Sequence, residues 1–113
     1  MPWLLRDGEV LASAEVATTR ATRRRGLLGR SEVDGALVLE PCRQVHSLGM
    51  KFPIDVVFCD RQQRVLRIAT LKPGRVSRPV LRARRVIEAE GGAAARWGVV
   101  VGDVLELVED ERP

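Results

Sequence analysis

The sequence predicts one α+β domain in which strands dominate: a small curled antiparallel or mixed sheet, or a barrel, with two short helices. Apolar and polar residues alternate along most of the 113 residues, as they do in half-buried strands. Helical spacing is confined to two stretches, near residues 19–28 and 92–97, which are far apart in the chain. This arrangement argues against alternating βαβ units. The length suits one core, so we expect a single domain over residues 1–113.

The N-terminal segment predicts a hairpin followed by a helix. Two apolar runs within residues 3–11 flank the turn dipeptide Asp7-Gly8, and the alternation continues to Val16. Thr18 and Thr19 are candidate N-caps for a helix that we expect to stop at Gly29. The arginines in this helix are typical of a solvated helix face, and we interpret them so.

The middle and C-terminal parts predict the remaining strands. Proline ends a short buried strand at residues 35–41, and residues 54–58 form a second strand that returns through residues 64–71. Residues 72–80 are interrupted by proline and glycine and form a candidate rim or lid. Further strands are expected at residues 85–90 and 99–108, with the second helix at residues 92–97 between them. The tail, residues 109–113, is expected to fray.

The stretch from residue 45 to residue 58 is the candidate site because it holds the only histidine and both phenylalanines. Gly49 and Pro53 interrupt its first half, and its second half alternates as a buried strand. A loop of polar and sulfur-bearing side chains that enters a rigid strand can form a pocket wall. In the strand, one face carries Ile54, Val56 and Phe58, and the other carries Asp55, Val57 and Cys59.

His46 and Asp55 are the central pair of this site. An aspartate nine residues after a histidine could orient one imidazole nitrogen and leave the other for a ligand. We therefore expect the two side chains within hydrogen-bonding reach at the mouth of a pocket, with Met50 beside them. The predicted ligand-binding residues are His46, Met50, Lys51, Asp55 and Glu88.

Two functions of the candidate site remain open at this point, beside a third possibility, an interaction partner that docks acidic surfaces through the arginine-rich residues 61–85. The first is a binding module for a small molecule or a peptide, which fits a chain without a catalytic signature. The second is a hydrolase or transferase that uses His46 with Asp55 as its base and Cys42 or Ser47 as its nucleophile. We favour binding, and a depressed cysteine pKa would favour the enzyme.

No cofactor is expected, because neither phosphate-loop glycine pattern is present in the sequence. Cys42, His46, Cys59 and Asp55 could supply zinc ligands, but their spacing is poor and we expect no metal site. We also expect two free thiols, because the N-terminus does not look like a signal peptide and the cytoplasm is reducing.

The charge distribution raises the question of a nucleic-acid partner. The net charge is +4, and residues 61–85 contain nine basic residues and no acid. This basic segment could attract anions. However, no aromatic residue lies between Phe58 and Trp97 to stack on a base, so nucleic acid is not the expected partner, and we expect at most weak, non-specific binding to it. No apolar run is long enough to span a membrane, and we expect a cytoplasmic protein.

Several motifs together resemble one family. They are residues 25–30 (Arg-Gly-Leu-Leu-Gly-Arg), residues 45–58, residues 86–92 (Val-Ile-Glu-Ala-Glu-Gly-Gly) and residues 98–103. In this order they resemble the bacterial and archaeal family called domain of unknown function 192, or uncharacterised protein family 0127. The resemblance covers about residues 10–108.

This resemblance implies a compact β-rich fold and a centre at His46, Met50 and Asp55. It implies no activity. The family usually continues its late strand as Leu-Glu-Leu, where this chain has Ile87-Glu88-Ala89. Glu88 therefore stands in the matching position. Many members carry export signals. The N-terminus here does not resemble one, so we expect a cytoplasmic protein. The family resemblance leads us to expect a bacterial protein.

Overall fold

The computed structural model describes residues 2–30 and 33–109, which form seven strands and two helices. The helices are α1 (Arg20–Arg25) and α2 (Ala93–Trp97). The strands are β1 (Pro2–Arg6), β2 (Glu9–Ala17), β3 (Ala36–Leu39), β4 (Ile54–Cys59), β5 (Val65–Leu71), β6 (Arg85–Glu90) and β7 (Glu106–Glu109). The prediction of a mainly β domain with two short helices is confirmed.

The strands form one mixed sheet in the order β5-β4-β6-β3-β2-β1-β7. Neighbours are antiparallel except β2 and β3, which run parallel. The two ends of the sheet approach at one corner, where the Val65 N–H donates to the Asp103 carbonyl at 2.8 Å. The sheet is curled but not closed into a barrel, so the curled mixed sheet is the correct form of the two that were predicted.

The sheet separates two apolar cores, and β4 contributes to both. The first core lies on the α1 side and receives Leu27 from the segment after that helix. The second core lies on the α2 side and receives Ala94. The predicted alternation of β4 is confirmed. Its first-core residues are Ile54, Val56 and Phe58, and its second-core residues are Val57 and Cys59.

Helix α1 begins where the sequence predicted and ends earlier. Thr19 is the N-cap, and its hydroxyl accepts a hydrogen bond from the Thr22 N–H at 3.1 Å. The helix was expected to continue to Gly29, but it ends at Arg25, because Gly26 leaves the helical conformation with φ 52° and ψ −128°. Gly26 still donates its N–H to the Thr22 carbonyl at 3.0 Å, which closes the last turn.

The C-terminal part differs from the prediction in one strand. Helix α2 lies where it was predicted and ends at Gly98, a left-handed C-cap with φ 67°. The final strand was expected over residues 99–108, but residues 99–105 are mostly turn and loop, and β7 covers Glu106–Glu109. Of the tail that was expected to fray, Glu109 belongs to β7 and residues 110–113 lie outside the described residues. Among the described helices, none is long and apolar enough to cross a membrane.

Candidate functional site

Glu88 is a carboxylate buried in the first core. It lies in β6, where the strand register pairs it with Leu37 of β3 and Val56 of β4. Its neighbours are therefore the two apolar strands at the centre of the sheet, and the residue is 1% exposed. Ionised groups are almost never buried to this extent unless they are paired. A glutamate in this position needs an explanation.

The segment that follows α1 covers the Glu88 carboxylate. A Cβ atom on Gly26 would lie 2.9 Å from Glu88 Oε1, so glycine lets the backbone approach this closely without displacing the carboxylate. The Leu27 backbone donates a hydrogen bond to the carboxylate. Glu88 Oε1, in contrast, is buried and has no hydrogen-bond partner among the described residues. Glu88 Oε1 is therefore the part of the carboxylate that is left open.

Burial determines the acidity of this group. Loss of water raises the pKa of Glu88 to about 7, although the Arg30 charge and the Leu27 hydrogen bond both act to lower it. Arg30 is itself held by Glu15, at 2.9 Å between Nη2 and Oε2. Near neutral pH the carboxyl group can therefore change protonation when its surroundings change, which is a common property of functional sites.

A cavity of about 330 Å³ lies beside Glu88. On one side it is lined by four arginines of α1 and by Gly26, and on the other by residues 41–46. We call it the Glu88 cavity. The α1 arginines that line it are Arg20, Arg23, Arg24 and Arg25.

Cys42 lies in this cavity between opposite charges. Its thiol is half-buried and contacts the Gln44 carbonyl at 3.3 Å. Burial raises the pKa of Cys42; the Glu88 carboxylate also raises it, whereas the Arg23 guanidinium lowers it. The thiol is therefore protonated at neutral pH and is not an activated nucleophile. Cys42 therefore shares the cavity with a carboxylate and a guanidinium whose charges both act on its sulfur atom.

His46 also lines the Glu88 cavity, but both of its ring nitrogens are engaged by backbone groups. The Leu48 N–H donates to Nδ1 at 3.1 Å, so Nδ1 carries no proton. The proton is then on Nε2, which lies 3.0 Å from the Arg24 carbonyl oxygen and donates to it. The ring ties its loop to α1. Neither nitrogen is left to act as a base.

The expected hydrogen bond between His46 and Asp55 is wrong. Asp55 lies on the opposite face of the sheet, on the side of the second core, and is 4% exposed. Its Oδ1 accepts from the Thr70 hydroxyl at 2.7 Å. Its Oδ2 accepts from the N–H groups of Gly92 and Ala94 at 3.1 and 3.0 Å. Asp55 therefore caps the start of α2 and is satisfied by three donors.

The other predicted site residues are also dispersed. Met50 is buried in the first core and Lys51 is exposed, and neither lines the Glu88 cavity. Ser47 is fully buried, and its hydroxyl donates to the Lys72 carbonyl at 2.6 Å. This contact ties down the loop that was a candidate lid. Of the five predicted ligand-binding residues, the structure brings His46 and Glu88 together.

Sequence reasoning missed the α1 arginines and Gly26 as parts of this site. The arginines were interpreted as a solvated face, which is true of their exposure but omits their position at a cavity. The sequence did contain a signal for Gly26, because a glycine near the end of a helix indicates close packing against another segment. Its partner, Glu88, lies far away in sequence. In the described part of the chain, both cysteines are free, and no group of three potential metal ligands occurs.

Two solved structures are similar to this fold. A protein of unknown function from Novosphingobium aromaticivorans has a TM-score of 0.78 and 23% identity, over 93% of this chain and 82% of that one. A protein from Sinorhizobium meliloti, provisionally assigned as a transcription regulator, has a TM-score of 0.76 and 21% identity, over 93% and 90% of the chains. At these identities the similarity concerns the fold alone.

Sequence comparison identifies archaeal relatives and a family. A UPF0127 protein of Pyrococcus horikoshii is 44% identical over 62 residues, and one of Pyrococcus abyssi is 36% identical over 64 residues. These segments cover 55% and 57% of this chain, and they span about half the length of the relatives, 54% and 55%. The profile of domain of unknown function 192, described as "Uncharacterized ACR", matches residues 4–107. The chain therefore belongs to the domain of unknown function 192 family.

Proposed function

We propose that this protein is a binding module that holds a small molecule in the Glu88 cavity. The observation that carries this proposal is the buried Glu88 Oε1, which has no partner among the described residues and borders a cavity. An unsatisfied buried acceptor costs about 1–3 kcal/mol. A ligand that donates to Oε1 would recover much of this free energy.

The surroundings of Glu88 also support binding. A volume of about 330 Å³ lies at the lower end of the range for small-molecule pockets. Gly26 brings the backbone of one wall against the carboxylate, and Glu88 itself lies in a strand paired on both sides, so the framework of the site is present before a ligand arrives. A pre-organised site loses less conformational entropy on binding.

Binding is favoured over the hydrolase or transferase alternative. That alternative needs an activated nucleophile and a free base. The Cys42 pKa is raised, the Ser47 hydroxyl donates to the Lys72 backbone carbonyl, and the His46 ring nitrogens are engaged. Each group would have to leave its present partner before it could act in catalysis.

A compound screen read by nuclear magnetic resonance tests the proposal. The ¹⁵N-labelled protein is mixed with small metabolites that include amines, carboxylates, phosphates, sugars and nucleosides at millimolar concentration. We expect at least one compound to shift the amide signals of Gly26, Cys42 and Gln44 in a saturable way.

A blocking variant localises this binding. Cys42→Trp fills the cavity from a half-buried position, and Gln62→Trp adds the same side chain at an exposed turn outside the cavity. Binding should be lost in Cys42→Trp and kept in Gln62→Trp. If no compound shifts these amides, or if Cys42→Trp binds as well as the wild type, the proposed function is wrong.

A further inference from the structure

We propose that the ligand of the Glu88 cavity is a small zwitterion whose ammonium group contacts Glu88 and whose carboxylate contacts the α1 arginines. This inference rests on the proposed binding function and adds the chemical class of the ligand. It follows from the charges that the cavity presents at its floor, at its rim and between them.

The floor of the cavity is Glu88, and it becomes negative when this carboxyl group ionises. Glu88 is 1% exposed, and its Oε1 has no partner among the described residues. Arg30 is the cation whose charge acts most on this carboxylate, but its guanidinium is engaged by Glu15. A ligand ammonium beside Oε1 would supply both a counter-charge and a charge-assisted hydrogen bond.

The rim of the cavity is positive. Helix α1 has no acidic residue in its first turn, and the ion pairs among residues 2–30 and 33–109 involve other arginines. Arg23 donates to the Thr18 carbonyl and Arg25 to the Leu28 carbonyl. Arg20 and Arg24 form no side-chain hydrogen bond within the described part of the chain. Their guanidinium groups are therefore open to a carboxylate, which they bind well.

The interior of the cavity experiences both charges at once. Cys42 lines the same cavity as Glu88 and Arg23, and its pKa is raised by the first and lowered by the second, so both charges reach the thiol. A simple anion in this space would meet Glu88, and a simple cation would meet the arginines. A molecule that carries both charges can place its positive group beside Glu88 and its negative group beside the α1 arginines, so neither group meets a like charge.

Alkylation of Cys42 provides the test, because this thiol reports directly on the cavity. Its rate of reaction with iodoacetamide is measured by intact mass at constant pH and ionic strength. Cys59 is 0% exposed, and burial raises its pKa to about 12, so it stays unreacted while the protein is folded. A second alkylation would reveal unfolding.

The probes are ω-amino carboxylates from glycine to 6-aminohexanoate, which vary the distance between the two charges. Each is matched by an alkanoate and an alkylamine of the same chain length, which carry one charge each. We expect at least one amino carboxylate to protect Cys42 at a concentration at least tenfold lower than either of its matched probes.

Two variants assign the contacts. Glu88→Gln should remove the preference for the amino carboxylate over the alkanoate. The double variant Arg20→Gln/Arg24→Gln should remove the preference over the alkylamine. Arg61→Gln, an exposed arginine outside the cavity, is the matched control and should change neither preference.

The outcomes separate this inference from the function on which it rests. Equal protection by the single-charge probes, or no protection by any probe, would overturn the zwitterion. If compounds of another class still shift the cavity amides in the screen, binding stands and only the ligand class is wrong. If neither experiment detects binding, both proposals are wrong.

Discussion

Two buried carboxylates, Asp55 and Glu88, lie on opposite faces of one sheet and have opposite environments. Asp55 accepts three hydrogen bonds, two of them from backbone N–H groups at the start of α2. Glu88 is as deeply buried and has one oxygen without a partner among the described residues. A satisfied buried carboxylate stabilises the fold, whereas an unsatisfied one costs free energy. This contrast assigns a structural role to Asp55 and makes Glu88 the candidate for function.

Glu88→Gln tests this cost through the pH dependence of stability. The pKa of Glu88 is raised from 4.5 to about 7 in the folded protein, so the folded state holds this proton more tightly than the unfolded chain. Stability must then fall as the pH rises through this interval and remain lower above it. The contribution is at most about 3 kcal/mol. Glu88→Gln lacks this titration and should be more stable than the wild type above pH 7.

Urea denaturation of both proteins at pH 5, 6, 7 and 8 measures this difference. Arg30, Cys42 and His46 face Glu88 or its cavity in both proteins, so comparing the two curves isolates Glu88. Parallel curves, with no gain for the variant at pH 8, would show that burial does not raise the pKa of this group.

Asp55→Ala should destabilise the protein by about 2–4 kcal/mol, because it leaves the N–H groups of Gly92 and Ala94 without an acceptor at a buried helix start. Asp55→Asn is the matched control, since its amide can still accept from these groups and donate to Thr70. We expect it to cost less than half as much. Thermal unfolding followed by circular dichroism measures both, and equal costs would contradict the capping role.

At the scale of elements, the end of α1 is decided by a residue far away in the chain. Gly26 turns out of the helix with φ 52°, and its backbone lies against Glu88 of β6. The local sequence would allow another turn of helix, and the prediction accordingly extended α1 to Gly29. The close approach of two distant segments ended the helix earlier.

Gly26→Ala should therefore cost more stability than an ordinary glycine substitution. The new Cβ would meet Glu88 Oε1 at 2.9 Å, and φ is positive, so contact and backbone strain add. Gly74→Ala is the control, because its φ is +79° but a Cβ there has nothing within 4 Å. We expect about 1 kcal/mol for Gly74→Ala and at least about 1 kcal/mol more for Gly26→Ala. Equal losses in chemical denaturation would show that the Glu88 contact is not tight.

Elements defined by local turn chemistry were predictable, and those defined by distant contacts were not. The β1–β2 hairpin turns at Asp7 and Gly8, both with positive φ, as the dipeptide predicts. Helix α2 ends at Gly98 for a similarly local reason. The site was harder to predict. The alternation of β4 correctly placed Asp55 opposite Val56, but only the pairing of β6 with β3 and β4 shows that Glu88 shares the face of Val56.

At the scale of the whole molecule, the basic residues form two separate groups. Those of α1 border the Glu88 cavity. Those of residues 61–85 extend over the β4–β5 turn, β5 and the loop that leads to β6. Eight of these nine are exposed, and Arg85 is instead held by Glu40 at 2.8 Å. The second group is therefore a dispersed positive surface.

This surface should bind nucleic acid only weakly and without sequence preference. Phosphate neutralisation by dispersed arginines makes the logarithm of the association constant fall linearly with the logarithm of salt concentration. No aromatic side chain lies between Phe58 and Trp97 to stack on bases. We expect the dissociation constants for two unrelated 20-base-pair duplexes to be equal and larger than about 10⁻⁶ M at physiological salt.

The variant Arg75→Gln/Arg78→Gln/Arg82→Gln should make the affinity for DNA depend less steeply on salt concentration, whereas Arg20→Gln/Arg24→Gln should leave this dependence nearly unchanged. Fluorescence anisotropy at several salt concentrations measures these values. Sub-micromolar binding that distinguishes the two duplexes at physiological salt would mean that these arginines form a specific interface.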